Sequence, residues 1–342
     1  MKKGLLAAAA LAFSTAALVA GAAYADDGPP PWAYGFSTPL VPGTPPAEPT
    51  PAQILDNVKL YSLPGSKFSF TRAQIADRYG PADWFPEDHP AMPEIVAKGK
   101  VLAQPQVYAC SLCHYPNGNG RPENANITGL SYEYFMQQMM DFRNGVRKTS
   151  DPRKANTGLM MRFARMMTDD ETIAAAKYFT AMPAVPWITV SESAEVPKTN
   201  PQNGMFLKIE GEGAGLEPIG TRIMEIPENT REAEFMRNPR SGFIAYVPPG
   251  SVKKGESLVM NGVTATGATV TPCTVCHGGD LRGLGPAPTL AGRSPSYIAR
   301  QLYDMQHGNR HGAWTPLMAA VVAPLVPDDL VAAAAYLASR KP

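Results

Sequence analysis

The sequence predicts a helical architecture built from two copies of one small domain in tandem. A proline-rich extension precedes them, and a partly β or irregular segment connects them. Three observations predict this. C-x-x-C-H occurs twice, at Cys110 to His114 and Cys273 to His277, and uses all four cysteines of the 342-residue chain. A constant offset of 163 superposes Cys110 on Cys273, Gly129 on Gly292, Tyr134 on Tyr297, Asp141 on Asp304, Gly145 on Gly308 and Arg147 on Arg310. Beyond Arg147 the first copy carries five extra residues, and an offset of 158 then aligns Met160 with Met318, Asp170 with Asp328 and Tyr178 with Tyr336.

The elements follow in chain order. Residues 1–25 carry Lys2 and Lys3, an apolar run from Leu5 to Ala23, and small residues flanking Tyr24, which reads as a secretory signal peptide. An uncleaved anchor is the alternative reading of that run. Residues 26–90 form an extension whose first part, from Pro29 to Pro51, is proline-rich and expected to be extended and semi-rigid. Its later part carries Trp84, expected to pack on one of the duplicated domains.

The first copy, residues 91–183, is expected to begin with an amphipathic segment (Pro93 to Leu102) before its motif. A Gly/Pro/Asn-rich loop follows, then a helix from Ser131 to Asn144 and a loop bearing Met160. The inserted residues, in the Lys148 to Thr157 region, read as loop. The copy closes with a helix opened by Asp169, Asp170 and Glu171, acids that suit a helix N-terminus.

The connecting segment, residues 184–249, is too long for a simple linker. Its runs Met205 to Ile209, Ile219 to Ile226 and Gly242 to Val247 read as short strands. The second copy, residues 250–342, repeats the layout with Val252 to Met260, a helix from Ser294 to His307, a Met318 loop and a helix opened by Asp328 and Asp329. The apolar stretch from Ala319 to Ala338 is broken by Pro324, Pro327 and two aspartates, so no membrane span is expected in the mature chain.

The pentapeptide points to covalent haem c. Two thiols one helical turn apart each form a thioether to a porphyrin vinyl group, and the next histidine offers a nitrogen to iron. Cys110, Cys113, Cys273 and Cys276 are thus the attachment residues, with His114 and His277 as iron ligands. A four-cysteine zinc site leaves both histidines unexplained, and a dithiol redox pair belongs beside a βαβ pattern that the sequence lacks.

Met160 and Met318 are the candidate second iron ligands, because the repeat register places them together before the closing helix. Met161, Met166 and Met167 compete with Met160, and core filling is the bland reading of any methionine. His307 and His311 are alternatives for the second iron, and His89 for the first. Each proximal histidine needs an acceptor for its other nitrogen. The Pro288 carbonyl is a candidate in the second copy, with Ala125 at the equivalent position in the first.

These residues resemble the class I cytochromes c, and the duplication resembles dihaem cytochromes of the cytochrome c4 kind. The second copy carries the likeness throughout: Cys273-x-x-Cys276-His277-Gly278, Pro288-x-Leu290-Ala291-Gly292, Gly308-x-Arg310 and Met318. The first copy departs from it at Tyr115 and at Asn126-Ile127-Thr128-Gly129. The resemblance implies an all-α fold around each haem, ligand pairs His114/Met160 and His277/Met318, and one-electron transfer in the periplasm. By the same resemblance, Tyr297, Arg310 and Trp314 are candidates to contact the second haem.

The chain carries 31 basic and 30 acidic residues, which argues against nucleic acid as a partner. The implied partners are a redox protein donor and acceptor, a dehydrogenase subunit among them. An electron-transfer role without catalysis is expected. The alternatives are the cytochrome subunit of a periplasmic dehydrogenase complex and a dihaem enzyme of the peroxidase type. With no cysteine beyond the attachment pairs, thiolate ligation of iron is excluded.

Overall fold

The computed structural model describes residues 28–48 and 54–342. The signal-peptide segment and residues 49–53 lie outside them.

Two helical cores hold the two motifs. In the first copy the helices are Glu94–Ala97, Cys110–His114, Tyr132–Arg143, Ala155–Met166 and Asp169–Thr180. Ile95, Val96, Phe135, Phe163 and Phe179 form the centre of its core. In the second they are Ser251–Asn261, Thr274–His277, Pro295–Gln306, Thr315–Val322 and Pro327–Ala338, packed around Leu258, Ile298, Leu330 and Leu337.

Sequence signals account for the helix starts. The Ser131 hydroxyl accepts from the Tyr134 N–H at 3.2 Å, and Ser294 does the same for Tyr297 at 3.3 Å. Thr168 and Glu171 satisfy each other's backbone N–H groups in a capping box, and Asp329 accepts from the Val326 N–H. Gly255 lets the Ser251–Asn261 helix lie directly on Pro327–Ala338, because a side-chain carbon there would strike the Ala332 carbonyl and Tyr336.

Several expectations are corrected. Met160 and Met318 sit on helices, Ala155–Met166 and Thr315–Val322, and not in loops. The residues from Leu159 to Met166 are mostly strong helix formers with no Pro or Gly among them, so the helix propagates through the methionine. That helix also takes up Ala155 to Thr157 of the inserted loop. The strand expected over Ile219 to Ile226 is broken by a turn at Gly220, which is left-handed at φ +61°, and only Met224–Pro227 is strand. Trp84 packs against the connecting segment, donating its indole N–H to the Met236 carbonyl at 2.8 Å.

The proline-rich extension also departs from an extended spacer. Pro31–Tyr34 forms one helical turn closed by Gly35, and Tyr34 is fully buried in the second copy's core, donating to Asp304 at 2.7 Å. The connecting segment is partly β, as expected. Phe243–Val247 is the central strand of a three-stranded sheet, parallel to Ile188–Glu192 and antiparallel to Met224–Pro227.

Among the described residues no single helix is long and apolar enough to cross a membrane. The last two helices pass that test only as a pair bent by 118°.

Candidate functional site

All four cysteines, both motif histidines, Met160 and Met318 line one continuous cavity of about 530 Å³ between the two copies. Met167 lines it as well, whereas Met161, Met166, His89, His307 and His311 do not. His307 stacks on Tyr303 at 3.9 Å, and His89 lies 3.2 Å from Asp83.

The motif helices present both histidines in the same way. His114 Nδ1 lies 2.8 Å from the Ala125 carbonyl, and His277 Nδ1 lies 2.7 Å from the Pro288 carbonyl. A carbonyl only accepts, so Nδ1 carries the proton and Nε2 keeps its lone pair for a metal. Burial holds both imidazoles below their ordinary range, partly offset by these carbonyls. Neutral imidazole is the form that ligates iron.

The thiols lack the environment of a reactive redox pair. Burial pushes Cys110 up to about 12 and Cys273 up to about 11, whereas a reactive dithiol needs a depressed value. Among the described residues no group of three or more His, Cys, Asp or Glu side chains converges, so the two cysteine pairs do not meet at one point.

The walls of the cavity fit haem c. Much of the lining is apolar, including Phe135, Leu159 and Phe179 in the first copy and Leu290, Ile298 and Val322 in the second. Its cations are Arg147, Lys148, Lys154, Arg293, Arg300 and Arg310. Only Glu123, Asp141 and Asp304 oppose them. Burial and nearby Arg300 hold the Lys154 ammonium well below its ordinary value. A surplus of enclosed cations calls for an anionic occupant, and each haem brings two propionate carboxylates.

The copies meet through an exchange of equivalent residues. Arg147 donates to Gln138 of its own copy at 2.8 Å, and to Tyr297 and Gln301 of the other at 3.0 Å. Arg310 donates to Gln301 of its own copy, and to Tyr134 and Gln138 of the other at 2.8 and 3.0 Å. The backbones of Arg147 and Arg310 pair as a short antiparallel bridge. This is a local two-fold arrangement within one chain. Burial pushes the Tyr297 hydroxyl up, but Arg147 and Arg310 outweigh it and bring the group below its usual range.

Of the residues implied to contact the second haem, Tyr297, Arg310 and Trp314 all line the cavity, and the first two are committed to this network. Sequence reasoning missed Gln138 and Lys154, and it took Gln301 only as part of the family likeness, without its role between the copies. The two glutamines share the 163-residue offset, and a polar pair kept in register on an otherwise buried helix face was the available signal. Lys154 lies in the insertion of the first copy and has no counterpart.

No protein-family model matches the sequence. Curated relatives do. The chain is 25% identical over 240 residues to the thiosulfate dehydrogenase electron acceptor of Stutzerimonas stutzeri (strain A1501), covering 69% of this chain and 81% of that one. It is 30% identical over 135 residues to cytochrome c4 of Stutzerimonas stutzeri, covering 35% of this chain and 62% of that one. It is 34% identical over 70 residues to cytochrome c-554(548) of Halomonas halodenitrificans, covering 20% of this chain and 84% of that one.

Proposed function

The chain belongs to the c-type cytochromes, and on that premise we propose that it is a dihaem protein of the cytochrome c4 kind, relaying single electrons in the periplasm from a dehydrogenase to a further redox protein. The proposal assigns the iron ligand pairs His114/Met160 and His277/Met318. It divides the chain into two haem domains, 91–183 and 250–342, with the connecting segment between them.

One observation carries the reading: both attachment motifs and both methionines open into one shared cavity, so the two haem sites are neighbours. Bound haem c supplies reversible one-electron iron chemistry. The chain's residues do the rest. The Ala125 and Pro288 carbonyls fix the histidine tautomers, the methionines offer thioethers, and the buried arginines would hold the carboxylate charge of bound haem where the copies meet. Iron held by a histidine and a thioether would favour outer-sphere transfer over binding of oxygen or peroxide, so catalysis forms no part of the proposal.

Carbon monoxide tests the closed sites. Reduced native holoprotein is expected to keep its spectrum under the gas, and rapid formation of a CO complex at either haem contradicts the assignment.

The likeness to a thiosulfate dehydrogenase electron acceptor, over most of both chains, favours a dehydrogenase as donor and supports a second reading as a subunit of such a complex. A stoichiometric dehydrogenase co-purifying without an affinity step distinguishes the subunit from the free carrier.

A further inference from the structure

The two motifs are alike in sequence but not in exposure. In the second copy Cys276 is exposed, Val275 is 62% exposed and Leu284 is 64% exposed. At the equivalent positions of the first copy Cys113 and Leu112 are half-buried, and Arg121 is only 6% exposed. Tyr115, where the second copy has Gly278, is 4% exposed.

What covers the first motif is a short turn of the connecting segment. The Arg231–Phe235 π-turn and the residues after it lie along the Cys110–His114 helix and its following loop. The Arg237 guanidinium donates to the Leu112 carbonyl inside the motif and lies over the Tyr115 ring. Asn117 donates to the Pro239 carbonyl at 3.0 Å, and Tyr115 donates to the Ala233 carbonyl. Arg121 pairs with Glu234 at 2.7 Å.

The turn is itself held from behind by the extension. Trp84 bonds the Met236 carbonyl, and Arg240 lies 3.6 Å over the Phe85 ring while pairing with Asp88. The two segments that distinguish this chain from a plain duplication thus share one small core, built on Leu63, Ile75, Trp84, Phe85 and Met236.

We propose that residues 231–240, backed by residues 60–88, are a cap that closes the thioether edge of the first haem, so that the second haem's edge is the one open to exchange with outside redox partners. Electron exchange between proteins falls steeply with edge-to-edge distance, so a layer of side chains over one thioether edge selects the other. Arg237, Asn117 and Tyr115 are then specificity-determining residues for the relay, although none of them is an iron ligand.

The inference rests on the dihaem reading, and a haem count on the same samples separates failure of that reading from failure of the cap. The test uses oxidised full-length holoprotein and a soluble, uncharged gadolinium chelate, with the hyperfine-shifted haem methyl resonances as readout. The two sets of resonances are assigned by which one moves in Val275→Leu. In the wild type the second set is expected to broaden while the first stays sharp.

Arg237→Gly removes the guanidinium without backbone strain, because Arg237 already sits at φ +51°. Combined with Asn117→Ala, it is expected to bring the first set into broadening, with two haems per chain retained. Equal broadening of both sets in the wild type overturns the cap, as does a first set that stays sharp in the double variant.

Discussion

Arg293→Ala is expected to destabilise the holoprotein by on the order of 3 kcal/mol and to weaken the cooperativity between the two copies. Arg293 belongs to the second copy and is almost fully buried, yet its guanidinium serves the first. It donates to the Asn126 carbonyl at 2.6 Å, to the Asn126 side-chain oxygen at 2.9 Å and to the Thr128 carbonyl at 2.7 Å. Burial lowers its pKa to about 10, which still leaves it charged at neutral pH. Alanine leaves the Asn126 and Thr128 carbonyls buried without a donor, a desolvation cost that is not recovered, while the Asn126 side-chain oxygen keeps the Thr128 N–H and hydroxyl. Arg293→Lys restores one point charge but not the fork, so partial recovery is expected. Denaturant titration of the holoproteins checks both, the predicted mark being a lower midpoint and a broadened or split transition for the alanine variant.

Trp84→Ala is expected to cost about 3–5 kcal/mol within the core that the extension shares with the connecting segment. The indole is 1% exposed, meets Phe70 edge-on at 4.9 Å, and supplies the donor for the Met236 carbonyl. Its removal opens a cavity and leaves that carbonyl unpaired. The loss is local, so residues 231–240 should become open to proteolysis while the second copy's core keeps its hydrogen-exchange protection. Trp84→Phe keeps most of the apolar volume and loses the N–H, for which about 1 kcal/mol is expected. Native-state hydrogen exchange distinguishes this pattern from global destabilisation, which would lower protection in both copies.

The attachment chemistry was legible in the sequence because it needs contiguous residues. Two thioethers and an iron ligand fix five successive positions, and chain geometry does the rest. The Pro288 and Ala125 carbonyls were reachable from the repeat register for the same local reason. The helices beginning at Ser131 and Ser294 were legible through their caps.

What was hidden depends on how distant pieces face each other. The exchange of Arg147 and Arg310 between copies requires the copies' relative orientation, which no local pattern encodes. The cap joins Trp84 to Met236 across 152 positions of sequence, and nothing in either segment names the other. The helices around Met160 and Met318 were missed because a methionine serves equally as loop ligand and helix former, and propensity decided for helix. Tyr34 was missed because proline content promised an extended chain, while a single turn closed by Gly35 was enough to seat the ring beside Asp304.

The most direct test of the account is near-infrared magnetic circular dichroism of the oxidised holoprotein, compared among the wild type, Met160→Ala and Met318→Ala. The account predicts two low-spin His/Met haems in the wild type and loss of one of them in each variant, with the other signature intact. A variant that keeps both His/Met signatures unchanged would contradict the pairing of that methionine with its histidine.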